Sequence, residues 1–224
     1  MRVSLGVRIA IGLTLSVGTA RASDVPPWMP AYKLASPVEY IWTDFYVGAN
    51  AGYGFANGSM VGIIGGGQVG YNWHAGNWLF GLETDLQASG KKASPPATTL
   101  GVTISETDKL NWFGTTRLRS GFAGDRWLIY ATGGIAYGRI KENGTASGLV
   151  VGAYSGSNTL TGWTVGGGIE VAIGTRSSWK VEYLYVTLPS FTNTYTLPGA
   201  GLTINYPRTN DNIVRVGINY RLAP

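Results

Sequence analysis

The stretch Trp78-Leu79-Phe80-Gly81-Leu82-Glu83-Thr84-Asp85-Leu86-Gln87 sets the fold class. Trp78, Phe80, Leu82, Thr84 and Leu86 share one parity, and Gly81, Glu83, Asp85 and Gln87 share the other. Successive side chains of a strand point to opposite faces, so a period of two predicts a strand with one apolar and one polar face. The split recurs on both sides of this stretch. Upstream, Phe45, Val47, Ala49, Ala51, Tyr53 and Phe55 alternate with Gly48, Asn50, Gly52 and Gly54, and Val69, Tyr71 and Trp73 alternate with Gln68, Gly70 and Asn72. Downstream, Trp112, Leu118 and Phe122 oppose Asn111, Thr115, Arg117 and Arg119, and Trp127, Ile129, Ala131, Ile135 and Tyr137 form the apolar parity of a fifth segment. Trp163, Val165, Ile169 and Val171 then oppose Thr164, Gly166, Gly168 and Glu170. Trp179, Val181, Tyr183 and Tyr185 oppose Lys180 and Glu182, and Val214, Val216, Ile218 and Tyr220 oppose Arg215, Asn219 and Arg221. Each segment is about ten residues, close to the ~9–11 with which a tilted strand crosses a bilayer.

Connections and rings separate a membrane barrel from a soluble one. His74-Ala75-Gly76, Ala123-Gly124-Asp125 and Gly174 to Ser178 are short turns, whereas Ala88–Glu106, Ile140–Leu160 and Pro189–Asn210 are long, polar loops. Short turns at one end and long loops at the other are the mark of an outer-membrane barrel. Within the long loops Thr98–Ser105 and Tyr195–Tyr206 still alternate, which predicts hairpins continuing above the membrane. Phe45, Trp73, Trp78, Phe122, Trp127, Trp179 and Tyr220 fall at the short-turn end of the apolar parity, and Trp112 and Trp163, with Phe55, Tyr137 and Tyr185, toward the long-loop end. Aromatic rings prefer the water–lipid boundary, so these predict two girdles. The expected fold is therefore all-β: an eight-stranded antiparallel up-and-down transmembrane β-barrel over residues 43–222.

Composition agrees. Of 224 residues 34 are Gly and 8 are Trp, while only 13% are charged, against about 25% in an ordinary soluble domain. The chain has no Cys, which excludes disulfides, Cys-based zinc sites and thiol nucleophiles, and its one His argues against His-cluster metal sites and a Ser-His-Asp triad. Arg2 and Arg8, an apolar run from Ile9 to Thr19 and Ala20-Arg21-Ala22 predict a secretory signal peptide over 1–22, cleaved near Ala22. A Pro-rich periplasmic linker over 23–42 follows, with Pro26, Pro27, Pro30 and Pro37. The net charge of +5 is inflated by Arg2, Arg8 and Arg21, which leave with the signal.

The stretch Trp42-Thr43-Asp44-Phe45-Tyr46-Val47-Gly48-Ala49-Asn50-Ala51-Gly52-Tyr53-Gly54 resembles the first strand of the alphaproteobacterial small outer-membrane immunogenic proteins, a family of OmpA-like eight-stranded barrels. Gly81-Leu82-Glu83-Thr84-Asp85, Trp112-Phe113-Gly114-Thr115, Tyr130-Ala131-Thr132-Gly133-Gly134, Gly162 to Gly168 and Lys180 to Tyr185 resemble its other strands. The resemblance spans residues 42 to 222 and implies an abundant envelope protein acting as a small porin, a structural barrel or a surface antigen. Members usually end on Phe; here Tyr220-Arg221-Leu222 is followed by Ala223-Pro224. Arg215, Gly217, Tyr220 and Leu222 resemble the signal that the barrel-assembly machinery recognises in a last strand, by strand addition.

Candidate residues follow from the polar parity. Glu83, Asp85, Glu170 and Glu182 face the same interior as Arg117, Arg119, Lys180 and Arg215. An eight-stranded barrel is barely wide enough for its own side chains, so these charges are expected to pair into a plug. The alternative is a narrow polar diffusion channel. No catalytic residue, cofactor or metal ligand is expected. Gly65-Gly66-Gly67-Gln68-Val69-Gly70 satisfies GxGxxG, but no helix follows it, so these glycines are expected to face the lumen or to admit a close neighbour. Asn57-Gly58-Ser59 and Asn143-Gly144-Thr145 are better explained as turns than as glycosylation sites, and His74 as a solvated turn residue. Lys91, Lys92, Arg139, Lys141 and Arg208 near the long loops could meet lipopolysaccharide phosphates. Outer-membrane lipid is the expected surrounding, with termini periplasmic and long loops extracellular; nucleic acid is not an expected partner.

Overall fold

Alternation drives almost the whole described chain into strands: β1 (Asp44–Phe55), β2 (Gly62–Ala75), β3 (Trp78–Ser89), β4 (Lys92–Ala93), β5 (Ala97–Thr99), β6 (Val102–Ala123), β7 (Trp127–Gly148), β8 (Gly152–Ala172), β9 (Ser177–Leu188), β10 (Phe191–Leu197), β11 (Ala200–Tyr206) and β12 (Thr209–Arg221). The computed structural model describes residues 40–55, 61–93, 97–99, 102–148, 151–198 and 200–222. The expected signal peptide, most of the expected linker, the Asn57-Gly58-Ser59 sequence and the Ala223-Pro224 ending lie outside those residues.

Eight strands close a ring in the order β1-β2-β3-β6-β7-β8-β9-β12, every pair antiparallel. Two pairings seal it: β3 with β6, Trp78 opposite Phe122 through Ala88 opposite Trp112, and β1 with β12, Tyr46 opposite Arg221 through Phe55 opposite Asn212. Closure leaves no edge with unpaired backbone groups. The period of two then sorts side chains across the wall. Val47, Leu82, Leu118, Ile129, Val165, Val181 and Val216 are exposed on the outside, while Asn50, Glu83, Arg117, Thr132, Thr164, Lys180 and Arg215 are buried inside.

The turns at one end are tight. The β2–β3 turn is Gly76-Asn77, and Gly76 adopts φ of 65°, which a residue without a Cβ adopts at little cost. The long-loop end differs from its expected form. Ile140–Leu160 is not a loop: β7 and β8 run on as a paired ribbon, from Ile140 opposite Asn158 to Ala146 opposite Gly152. β6 likewise begins at Val102, far above Trp112. The hydrophobic alternation fades there because the outward face is polar and the inward face mixes Ile140 and Ala146 with Glu142, yet the strand pairing continues. A register shift between Leu110 and Trp112 marks the change. The two hairpins expected above the membrane are present, β5 against β6 and β10 against β11.

Candidate functional site

The lumen is filled in tiers. Its centre is ionic. Arg117 donates from Nη1 to Glu182 (2.9 Å) and from Nη2 to Asp85 (3.0 Å) and Glu83, and its Nε donates to the Thr115 hydroxyl at 2.8 Å. Arg215 reaches Glu182 at 2.5 Å and Asp85 at 3.0 Å. The Lys180 ammonium donates to both Glu83 oxygens, at 2.8 and 2.9 Å. Nearer the short turns Arg119 holds Glu170 at 2.7 Å and lies 4.1 Å from the centre of the Tyr130 ring. The Tyr46 and Tyr130 hydroxyls donate to Glu83 and Glu182. Four acids thus meet four bases, all buried to 3% exposure or less. Mutual pairing with hydrogen bonds is what allows so many charges to stay ionised out of water.

Room for this network comes from inward glycines. A Cβ on Gly70 would lie 2.4 Å from the Tyr46 ring, and one on Gly168 2.7 Å from the Tyr130 hydroxyl. Gly65 and Gly67 share the outward parity of Ile63 and Val69, so these two do not face the lumen as expected.

Apolar tiers close the lumen on both sides of the charges. Below, Tyr40 and Trp42 pack with Leu79, Leu128, Ala123, Tyr130 and Ala172. The Trp42 indole donates to the Gly124 carbonyl, Asn72 donates to the Trp42 carbonyl and Arg221 donates to the Ile41 carbonyl. Above, Leu184, Ile213, Ile64, Phe113, Val186, Leu110, Ile140 and Leu188 form a second layer. Sequence reasoning did not place these residues in the lumen. The signal was present on the lumen parity of β9, where Lys180 and Glu182 are followed by Leu184 and Val186.

A fourth tier lies higher, above Trp112. Glu106, Asp108 and Glu142 point inward with Tyr154, Tyr195 and Tyr206. The Tyr206 hydroxyl donates to Glu106, and the Tyr195 and Tyr206 hydroxyls lie 3.1 Å apart. Burial, with the Glu106 and Glu142 carboxylates nearby, pushes Asp108 up to about 7, and burial also raises Glu142. Among the described residues no group of three or more His, Asp or Glu side chains could hold a metal ion.

The outer face carries the remaining candidates. Around β1, β2, β3, β6 and β7, successive ring contacts join Phe45–Tyr71 (4.7 Å between centroids), Tyr71–Trp73 (6.3 Å), Trp73–Phe80 (6.2 Å), Trp78–Phe122 (6.4 Å) and Phe122–Trp127 (5.8 Å). Trp179 and Tyr220 are exposed at the same end. Toward the other end Trp112 meets Tyr137 and Trp163 meets Tyr185. In β12 Arg215 points inward and Tyr220 outward, Gly217 is partly covered, and Leu222 is exposed just past the strand. His74 is an exposed residue of β2 opposite Leu79. Lys91 departs from its expected place near lipid: it is buried inside the barrel and ion-paired with Asp211. Lys109, not singled out from sequence, is exposed beside Arg139 and Lys141.

A closed antiparallel ring with an apolar exterior and an ionic interior defines an outer-membrane barrel. The family described as outer membrane protein beta-barrel domain matches residues 9–221, and the chain belongs to it. It is 34% identical to a 31 kDa outer-membrane immunogenic protein of Brucella melitensis, over 91% of this chain and 93% of that protein. It is also 32% identical to a 22 kDa outer membrane protein of Rhizobium leguminosarum bv. viciae, over 80% and 78% of the two chains. Among solved structures, a major outer membrane protein from Thermus thermophilus is similar in fold, with a TM-score of 0.54 at 14% identity, covering 80% of this chain and 99% of that one. The chain is an outer-membrane β-barrel protein.

Proposed function

We propose that the protein is a non-conducting barrel with a structural and surface-interaction role in the bacterial cell envelope, and that it performs no catalysis. The observation that carries this is the filled lumen: a charge-balanced ionic tier lies between two apolar tiers, an arrangement that opposes passage of a polar solute. The buried carboxylates support no enzymatic role, since each of Glu83, Asp85, Glu170 and Glu182 is ion-paired and a catalytic acid or base needs access to substrate. The membrane band lies between the two aromatic levels. Trp112 and Phe122 are ten residues apart; at about 3.3 Å per residue and a tilt near 40° they span roughly 25 Å, the height of an outer-membrane apolar band.

The short turns and both termini then face the periplasm after cleavage near Ala22, and the β6–β8 extension faces outward. Arg215, Gly217, Tyr220 and Leu222 would present the last strand to the assembly machinery before β12 pairs with β1. Reconstitution in planar lipid bilayers tests the lumen reading. The expected record is a flat baseline after confirmed insertion; stepwise ohmic currents would establish the alternative, a small porin.

A further inference from the structure

Above the upper aromatic level the wall separates charge by sign. Every acid there points inward: Glu106, Asp108 and Glu142 into the upper tier, and Asp211 onto Lys91. The described acids outside the lumen, Asp44 and Asp125, sit at the short-turn end. The loop segments outside the described residues, 56–60, 94–96, 100–101, 149–150 and 199, contain no Asp or Glu in their sequence.

The outer face of the same strands carries exposed bases. Lys109 on β6 lies directly opposite Lys141 on β7, and Arg139 lies opposite Trp112. Like charges facing each other across a strand pair destabilise it. No acidic side chain of the described chain pairs with Lys109, Arg139 or Lys141. Arg139 is instead steadied by the Ser157 hydroxyl, at 2.8 Å from Nη2, which leaves its charge uncompensated. Directly below, the Trp112–Tyr137 ring pair, with centroids 6.4 Å apart, marks the upper limit of the apolar exterior.

From this sidedness we propose that Lys109, Arg139 and Lys141 form a docking surface for the anionic headgroups, phosphate foremost, of outer-leaflet glycolipid. The position selects the partner. Cations two to four residues above an aromatic level, as Arg139, Lys109 and Lys141 are above Trp112 and Tyr137, meet the headgroup layer rather than the acyl chains, and headgroup phosphates supply the missing counter-charge. Such binding would relieve the Lys109–Lys141 repulsion. The proposal rests on the aromatic level being the lipid boundary.

The test uses the purified full-length barrel in neutral detergent, titrated with diphosphoryl lipid A, with chemically dephosphorylated lipid A and with inorganic phosphate. The variant K109Q/R139Q/K141Q is compared with R126Q, which removes an exposed base in the β6–β7 turn, at the short-turn end of the barrel. Heat-modifiable migration on detergent gels verifies that both remain closed barrels. We expect the triple variant to lose diphosphoryl lipid A affinity by about tenfold or more, R126Q to bind like the parent, and dephosphorylated lipid A to bind the parent as weakly as the triple variant binds the phosphorylated form. Equal binding by the triple variant and the parent overturns the proposal. So does competition by millimolar inorganic phosphate as effective as lipid A, which would indicate a free-anion site. The boundary is read separately, by quenching of tryptophan fluorescence in bilayers of lipids brominated along the acyl chain. Absence of quenching removes the boundary and the proposal together; quenching with unchanged lipid A binding removes the docking surface alone.

Discussion

At the scale of single residues, the lumen is a place where each charge depends on its neighbours. Arg117 contacts Glu83, Asp85 and Glu182, so removing it leaves three buried carboxylates short of a partner. Arg117→Ala is expected to cost about 3–5 kcal/mol, measured as a lowered urea midpoint for the barrel in detergent micelles. Asp108 behaves oppositely, because its neighbours Glu106 and Glu142 are also acids and no base faces it from β7, β8, β10 or β11. An acid whose pKa is higher folded than unfolded binds more protons when folded. Its folded form is therefore favoured below the unfolded value, near 4, and that advantage is lost as pH rises to about 7. Hydrogen-exchange protection in Val102–Leu110, corrected for intrinsic rates, should be greater at pH 5 than at pH 8. Asp108→Asn should flatten the difference; an equal pH response in that variant would assign the effect elsewhere.

At the scale of elements, legibility followed the surroundings of each strand. Where a strand separates an apolar exterior from a packed interior, as at Trp78–Leu86, contrast between parities is strong and its sidedness is plain from sequence. From Ile140 to Ala146 on β7 the inward set is Ile140, Glu142, Gly144 and Ala146 and the outward set is Lys141, Asn143 and Thr145. The outward set is polar and the inward set mixed, so backbone pairing persists without a clear hydrophobic signature. The interior charges were legible because eight charged residues share one parity in strands that must close on each other. The apolar tiers were not, since Leu184 and Ile213 look like ordinary strand hydrophobics until closure puts them inside. The β10–β11 hairpin is a separate element, a two-stranded sheet outside the ring, while Leu188 and Thr209 on either side of it are already paired. Replacing residues 189–208 with Asn-Gly, a turn suited to a two-residue hairpin, should leave a barrel that still shifts on heating in detergent gels. Loss of the shift would show that the hairpin is required for closure.

At the scale of the whole molecule, the barrel is a stack: an apolar floor that includes Tyr40 and Trp42, an ionic middle, an apolar ceiling and an upper tier of acids and tyrosines. The floor is built partly by chain that precedes β1, so cutting the protein to begin at Asp44 should raise the urea sensitivity of the barrel without preventing closure, because no strand pairing is lost. Unchanged urea resistance would mean that the seal contributes nothing to stability. The continued pairing of β6, β7 and β8 above Trp112 has a different kind of consequence. Eleven residues separate Tyr137 from Gly148, enough for a tilted ribbon to stand roughly 28 Å clear of the aromatic level. In the orientation proposed above, the cell exterior would meet a paired ribbon whose surface is assembled from neighbouring strands distant in sequence. An antibody that grips it will recognise side chains from several strands at once, and short peptides copied from any one of them will make poor substitutes.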